Sequence, residues 1–167
     1  MKTTIAIGTA LALATLSATA AGAQSFETYG TEGDWQIVVN DAMGPGCLAI
    51  RKFRNPTSQV QLGIDATRPE KSGYIAIYVE DAAGIEAGEE IPASFDVDGQ
   101  IFEGTFTGQQ TRGFGGAFVP VNNAEFTYDL ANKETLTISY GEGNRVIVGL
   151  DGTDAAFAAL RSCQEAQ

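Results

Sequence analysis

The chain has 167 residues, with 21 acidic and 10 basic side chains, no histidine and a formal net charge of −11 at pH 7. Nucleic acid is therefore excluded as an expected partner, because the phosphate backbone selects clustered positive charge. The absence of histidine excludes Ser-His-Asp and Cys-His catalysis and the usual zinc sites, and the sequence has neither a Gly-x-Ser-x-Gly nor a Ser-x-x-Lys motif. We expect a protein that is not an enzyme and that holds no metal or cofactor.

Residues 1–23 have the three parts of a secretory signal peptide. Lys2 supplies the positive charge, residues 5–16 are apolar, and the small residues 21–23 form a peptidase site before Gln24. The apolar run is too short to span a bilayer, and no later run approaches the roughly 18 apolar residues that a transmembrane helix needs. The sequence predicts a soluble, periplasmic or secreted protein of a Gram-negative bacterium, with no transmembrane segment.

The mature chain is predicted to start with a flexible lead-in over residues 24–33, which combine glycine and polar residues without periodicity. Residues 34–167 are predicted to form a single β-rich domain. Its first four strands are short segments rich in β-branched and aromatic residues, at 35–39, 47–53, 59–65 and 74–80. Alternation in the fourth segment puts its isoleucines on one face and Tyr74 and Tyr78 on the other.

Turn residues organise the second half of the chain. Asp98-Gly99 between two apolar runs predicts a type I′ hairpin turn, because glycine tolerates positive φ. A short helix is predicted further on, capped by Asn122 or Asn123. After the hairpin we expect a glycine-rich loop at 107–116 and a strand at 117–121. The short helix falls within 122–133, and a last hairpin occupies 135–150.

The chain ends in a predicted helix that begins with Thr153 as its cap and turns Phe157, Leu160 and Cys163 inward at helical spacing. Cys47 and Cys163 are the only cysteines, and in an oxidising compartment they predict one disulfide, with a redox pair or two free thiols as the alternative. The sequence therefore predicts an all-β protein, an antiparallel β-sandwich or flattened barrel with a C-terminal α-helix. The predicted core consists of Trp35, Ile37, Ile50, Leu62, Ile75, Ile77, Phe102, Leu136, Ile138, Ile147, Phe157 and Leu160.

Three segments of the chain carry a resemblance to a known family. They are Gly33-Asp34-Trp35, Val97-Asp98-Gly99, and Leu150-Asp151-Gly152-Thr153 followed by the apolar run 155–160 and Cys163. This combination resembles the invasion-associated locus B family of small exported alphaproteobacterial proteins. Members tend to carry further cysteines soon after the early Trp, where this chain has only Cys47. The resemblance implies a periplasmic or outer-surface β-rich protein, linked in some pathogens to host-cell invasion, with no established enzymatic activity and no catalytic residues to carry over.

Two groups of residues are candidate partner-binding sites. Arg112 and Phe114 lie in the glycine-rich segment, and an exposed Arg and aromatic pair is typical of an interface anchor. Arg51, Lys52 and Arg54 concentrate basic charge in an acidic chain, although alternation sends Arg51 and Lys52 to opposite faces. A strand connection and ordinary strand exteriors are the structural alternatives for the two groups.

The predicted function is a non-enzymatic binding or accessory role in the cell envelope. The expected partner is an envelope macromolecule, either a protein or an anionic glycan or lipid such as lipopolysaccharide, and the oligomeric state is left open. A carboxylate-dependent glycan hydrolase is the alternative, with Glu103, Glu125 and Asp129 as nominal acids. A passive structural or stress-related envelope protein is the third possibility.

Asp96, Asp98 and Glu103 superficially resemble a calcium loop, but the spacing lacks a third acidic ligand and a hairpin turn explains them.

Overall fold

The computed structural model describes residues 26–54, 56–68, 71–80, 84–111 and 113–167. The predicted signal peptide and Arg112 lie outside the described residues, so cleavage after Ala23 stays a prediction. The strands are β1 (Phe26–Glu32), β2 (Trp35–Asn40), β3 (Gly46–Arg54), β4 (Thr57–Asp65), β5 (Ser72–Glu80), β6 (Glu90–Val97), β7 (Gln100–Thr111), β8 (Phe114–Val121), β9 (Thr135–Tyr140) and β10 (Asn144–Gly149). The α-helices are α1 (Ala124–Asp129) and α2 (Asp154–Glu165), and single 3₁₀ turns follow β2 and α1.

These strands form one sheet in the order β1-β2-β3-β4-β5-β8-β7-β6-β9-β10, with every neighbouring pair antiparallel. The meander from β6 to β8 is inserted in reverse order, because β5 pairs with β8 and β6 pairs with β9. β1 and β10 are the two edges, so the sheet is not closed. The predicted all-β class with a C-terminal helix is confirmed.

The sheet folds over a shared inner core. Inward side chains of β2, β4 and β5, such as Trp35, Leu62 and Ile75, belong to the same buried cluster as Phe95 on β6 and Leu136 on β9. Full burial of a large apolar side chain contributes about 1.5 to 3 kcal/mol, so this cluster is the main source of stability.

Helix α2 packs on this inner core beside β2 and β3. Its Phe157 ring lies 6.2 Å, centre to centre, from the ring of Trp35. The sulfur atoms of Cys47 on β3 and Cys163 on α2 are bonded, so the disulfide predicted from the sequence is present. Next to this bond, the backbone N–H of Cys47 donates to the side-chain oxygen of Gln164 at 3.0 Å. The terminal helix is therefore fixed to the sheet by packing, by a covalent bond and by a buried hydrogen bond.

A second apolar cluster lies on the opposite, outward face of the strands β2, β3, β5 and β8. Its buried members are Val38, Met43, Leu48, Ile50, Tyr74, Ala76 and Tyr78, and the half-buried Phe114 and Phe118 pack against them. We call these nine residues the outer cluster. Along each strand they alternate with inner-core residues, as the alternation of β5 predicted, so these strands are apolar on both faces.

The expected flexible lead-in over residues 24–33 is wrong for its described part. Residues Phe26–Glu32 form β1, which pairs with β2 along its length, and Gly33 makes the connecting turn with φ at +57°. Most side chains of β1 are exposed, so the strand has no alternation of apolar and polar residues. Its order comes from backbone pairing with β2, which sequence periodicity does not report.

The expected glycine-rich loop at 107–116 is also wrong. β7 continues to Thr111 and β8 begins at Phe114, so most of this segment is a hairpin. A Cβ at Gly116 would lie 2.2 Å from the carbonyl oxygen of Ile77 on β5. This glycine therefore permits a close approach between neighbouring strands, which its sequence pattern does not distinguish from a loop.

The two helix caps have different outcomes. Asn123 caps α1, because its side-chain oxygen accepts the N–H of Glu125 at 3.0 Å, and one of the two predicted candidates is thus confirmed. Thr153 precedes α2 but is not a side-chain cap. Its hydroxyl donates instead to the carbonyl of Leu150 at 2.7 Å, which stabilises the turn before the helix.

The predicted core is confirmed at ten of its twelve positions. Ile147 is 56% exposed, because it lies on the outward face of the edge strand β10, and Phe102 is half-buried. Ile50 is buried in the outer cluster rather than in the inner core. No helix within the described residues combines the length and apolar character that crossing a bilayer requires.

Candidate binding surface

The side chain of Arg51 makes its contacts within the protein. Its guanidinium donates to the carbonyl of Gly149 on β10 at 3.0 Å and to the carboxylate of Asp34 at 3.2 Å. The same group lies over the rings of Trp35 and Phe53, 5.9 and 5.6 Å from their centres. The structure therefore gives this candidate residue a role in joining two parts of the sheet.

Lys52 and Arg54 lie on the other face of β3 and are exposed. They follow Ile50 at two-residue intervals, so they extend the outer cluster toward the end of the strand. Lys52 is opposite Gln59 and Arg54 is opposite Thr57 on β4. The predicted separation of Arg51 from Lys52 is confirmed, and the basic group reduces to two outward cations.

Phe114 is on the same outward face as these two cations. It is half-buried against the outer cluster at the start of β8, where it pairs with Glu80 at the end of β5. Three strand spacings of about 4.8 Å separate β3 from β8, so Phe114 and Arg54 lie on the order of 14 Å apart at one end of the sheet. Its candidate partner Arg112 is outside the described residues.

Two tyrosines form a hydrogen-bonded chain in the middle of this face. The hydroxyl groups of Tyr74 and Tyr78 are 3.2 Å apart, and that of Tyr78 also donates to the side chain of Gln109 on β7. The ring of Tyr74 stacks on Phe118, with centres 5.8 Å apart. Burial raises the pKa of Tyr74 well above its ordinary value and raises the pKa of Tyr78 as well. Both hydroxyl groups therefore stay neutral at physiological pH and act as hydrogen-bonding groups.

The outward face of the other half of the sheet is polar. An open groove of about 710 Å³ crosses it, and its lining includes Ser94, Glu103, Ser139 and Arg145. Strand register places these four residues in one row across β7, β6, β9 and β10, with Glu103 and Arg145 at its ends. Their proximity could not be predicted from the sequence, because the pairing of β6 with β9 leaves no local pattern.

The nominal hydrolase acids are not gathered in this groove. Glu103 lines it and a smaller groove of about 390 Å³, and neither lining includes Glu125 or Asp129. Glu125 instead accepts a hydrogen bond from Arg161 on α2 at 3.1 Å. The two facing carboxylates that glycoside hydrolysis uses are thus not formed by this set of residues.

Asp96 and Asp98 serve the hairpin turn. Asp98 and Gly99 have φ values of +50° and +87°, as a type I′ turn requires, so the predicted turn is confirmed. The carboxylate of Asp96 accepts the N–H of Gly99 at 2.7 Å. The carboxylate of Asp98 accepts the N–H groups of Glu134 and Thr135, which joins the hairpin to the start of β9.

One solved structure has a fold similar to that of this chain. It is the crystal structure of invasion associated protein B from Bartonella henselae, with 15% sequence identity and a TM-score of 0.54 over 81% of this chain and 97% of that chain. A scan against models of protein families found no match, and neither did a search of curated proteins. At this identity the likeness establishes a common fold, in agreement with the resemblance found in the sequence.

Proposed function

We propose that this chain is an exported, non-enzymatic accessory protein of the Gram-negative cell envelope, related to invasion associated protein B, that acts by binding another macromolecule. Three observations support this proposal. The leader has the parts of a signal peptide, the Cys47–Cys163 disulfide suits an oxidising compartment, and the fold is similar to that of invasion associated protein B.

The observation that carries the binding role is the position of Lys52 and Arg54. Both side chains are exposed beside the outer cluster, and neither forms an ion pair with a described residue. In a chain of net charge −11, two neighbouring cations attract an anionic partner while most of the surface repels it. The partner is therefore an envelope macromolecule with anionic groups, such as an acidic protein surface or an anionic glycan or lipid.

A charge-matched pair of variants tests this proposal. Purified mature protein, residues 24–167, is mixed with washed envelopes of the source bacterium, and the bound fraction is measured at 50 and 300 mM salt. We expect Lys52→Gln with Arg54→Gln to lower binding at 50 mM salt by about tenfold, because exposed charge pairs contribute up to about 1 kcal/mol each. Lys133→Gln with Arg145→Gln removes the same charge elsewhere and should leave most binding intact. Equal loss in both variants, or binding insensitive to salt, would overturn the proposal.

A further inference from the structure

β7 is paired with β8 along only part of its length. Residues 107–111 pair with residues 114–118, whereas residues 100–106 pair with β6 alone among the described strands. In the same register, Thr105 would next lie opposite Pro120, which has no N–H to donate to a neighbouring strand. The two strands therefore separate here, and the first half of β7 has a free edge toward β8.

The smaller groove, of about 390 Å³, occupies this opening. Its walls include residues 102–105 of β7 and residues 119–121 of β8. Its floor is apolar, because Ile75, Phe95 and Val119 are buried members of the inner core. The volume falls in the range of about 300 to 1,000 Å³ that is typical of binding pockets with apolar linings and a few polar groups. The groove thus has the size and lining of a binding site.

The free backbone of β7 determines which kind of chain fits the groove. Every second residue of a strand points its N–H and C=O groups toward the same neighbour, so about half of residues 100–106 present these groups to the opening. A hydrocarbon chain that covered these groups would leave them without hydrogen bonds, at a cost of about 1 to 3 kcal/mol each. An extended peptide satisfies them, because it pairs with β7 as an added strand.

The rim of the groove favours a cationic segment. Glu103 is exposed on the outward face of β7 and forms no ion pair with a described residue. The lining residues include no lysine or arginine. A basic side chain beside Glu103 would therefore be attracted, whereas an acidic one would be repelled. Alternation along the added strand then places apolar side chains at the intervening positions, where they face the floor.

We propose that the smaller groove binds an extended segment of a partner protein, which pairs with the free edge of β7 as an additional strand and alternates apolar with basic residues. The site is separate from the outer cluster, whose neighbouring cations favour an anionic partner. This inference goes beyond the proposed function and does not depend on it.

Synthetic peptides test the backbone pairing. The probe is a fluorescent peptide of about seven residues that alternates valine with lysine, and its binding to the mature protein is measured by anisotropy. One derivative is N-methylated on the backbone amides of its valines and the other on those of its lysines. We expect their affinities to differ at least tenfold, because only one set of amides points toward β7. Equal affinities would show that the groove takes apolar groups without strand pairing, as it would take an acyl chain, and would overturn the proposal.

Two charge-reversal variants locate the peptide. At low salt, Glu103→Lys should weaken binding of the unmodified peptide about tenfold, because attraction at the rim becomes repulsion. Glu32→Lys makes the same change of net charge on the exposed edge strand β1 and should leave the affinity unchanged. Equal affinity in the two variants would contradict the assignment. Lys52→Gln with Arg54→Gln should bind the peptide normally, so failure of this proposal and failure of the proposed envelope-binding role can be told apart.

Amide hydrogen exchange provides a readout that needs no variant. In the free protein, the amides of residues 100–106 that face the opening should exchange faster than those paired with β6. Saturating peptide should slow these amides at least tenfold and leave the amides of β1 unchanged. Peptide binding without slower exchange in β7 would overturn the proposal. Loss of a dimer of the mature protein when the peptide is added would identify a second copy as the occupant and would overturn it as well.

Discussion

Gly63 shows how a single residue fixes the spacing of two strands. A Cβ at this position would lie 2.3 Å from the carbonyl oxygen of Cys47 and 2.6 Å from a methyl group of Leu48. We predict that Gly63→Ala lowers the free energy of unfolding by about 1 to 3 kcal/mol, because the backbone of β3 must move. Gly149→Ala is the matched control, since a Cβ there meets nothing within 4 Å and should change stability by less than about 0.5 kcal/mol. Urea denaturation of both variants measures the difference, and equal stabilities would contradict the account.

Burial of Tyr74 makes the protein less stable at alkaline pH. Burial raises the pKa of this phenol well above its ordinary value of 10.0, so above pH 10 the unfolded chain loses the proton while the folded chain keeps it. The contribution of Tyr74 to stability is therefore constant below about pH 10 and falls as the pH rises further. Absorbance titration at 295 nm should detect a late-titrating phenol that Tyr74→Phe removes. An unchanged titration curve in that variant would show that Tyr74 is not the buried group.

The sequence predicted only in part which of the neighbouring basic residues are free to bind a partner. Alternation correctly placed Arg51 and Lys52 on opposite faces, because the two-residue period of a strand is local. It could not show that Arg51 contacts Gly149, since that contact joins β3 to the last strand of the chain. The candidate site therefore shrank to the outward pair Lys52 and Arg54 only when the pairing of distant strands was known.

At the scale of single elements, the Asp98-Gly99 turn joins two hairpins. The carboxylate of Asp98 accepts N–H groups from Glu134 and Thr135, at distances down to 2.9 Å. We predict that Asp98→Ala lowers the free energy of unfolding by about 1 to 3 kcal/mol, because two N–H groups lose their acceptor and alanine disfavours positive φ. Asp98→Asn tolerates this φ and keeps one acceptor oxygen, so it should lose less than half as much. Thermal unfolding of the two variants tests this, and a larger loss in the Asn variant would contradict it.

The elements that could be predicted are those with local signals. The Asp98-Gly99 turn, the Asn123 cap and the inward face of α2 depend on residues within a few positions of one another. β1 and the hairpin around Gly116 were missed, because an exposed edge strand lacks alternation and a strand glycine looks like a loop glycine. The outer cluster could be predicted only in part. The alternation in β5 predicted that its tyrosines lie on the second face, but it did not predict that this face is buried.

At the scale of the whole molecule, the Cys47–Cys163 disulfide closes a loop of 116 residues. Opening such a loop increases the entropy of the unfolded chain, so replacing both cysteines by alanine should lower the free energy of unfolding by up to about 4 to 5 kcal/mol. Urea denaturation of the mature double variant measures this loss. A change below about 1 kcal/mol would show that packing of Phe157 and its neighbours alone holds α2 on the sheet.

The folded sheet presents two outward faces of different chemistry. The face of β2, β3, β5 and β8 is apolar and ends in Lys52 and Arg54, whereas the face of β6, β7, β9 and β10 carries the polar groove between Glu103 and Arg145. We assign partner binding to the first face. Composition could not make this assignment, because the two faces are assembled from alternate residues of strands throughout the chain.

Site-specific photo-crosslinking in intact cells tests this assignment most directly. A photoreactive residue replaces either Gln59, which lies opposite Lys52 on the outward face of β4, or the exposed Ile147 on the other outward face. We expect a discrete crosslinked partner from position 59 and none from position 147. A partner captured only from position 147, or from neither position, would contradict the claim that the apolar, basic-ended face is where this protein binds.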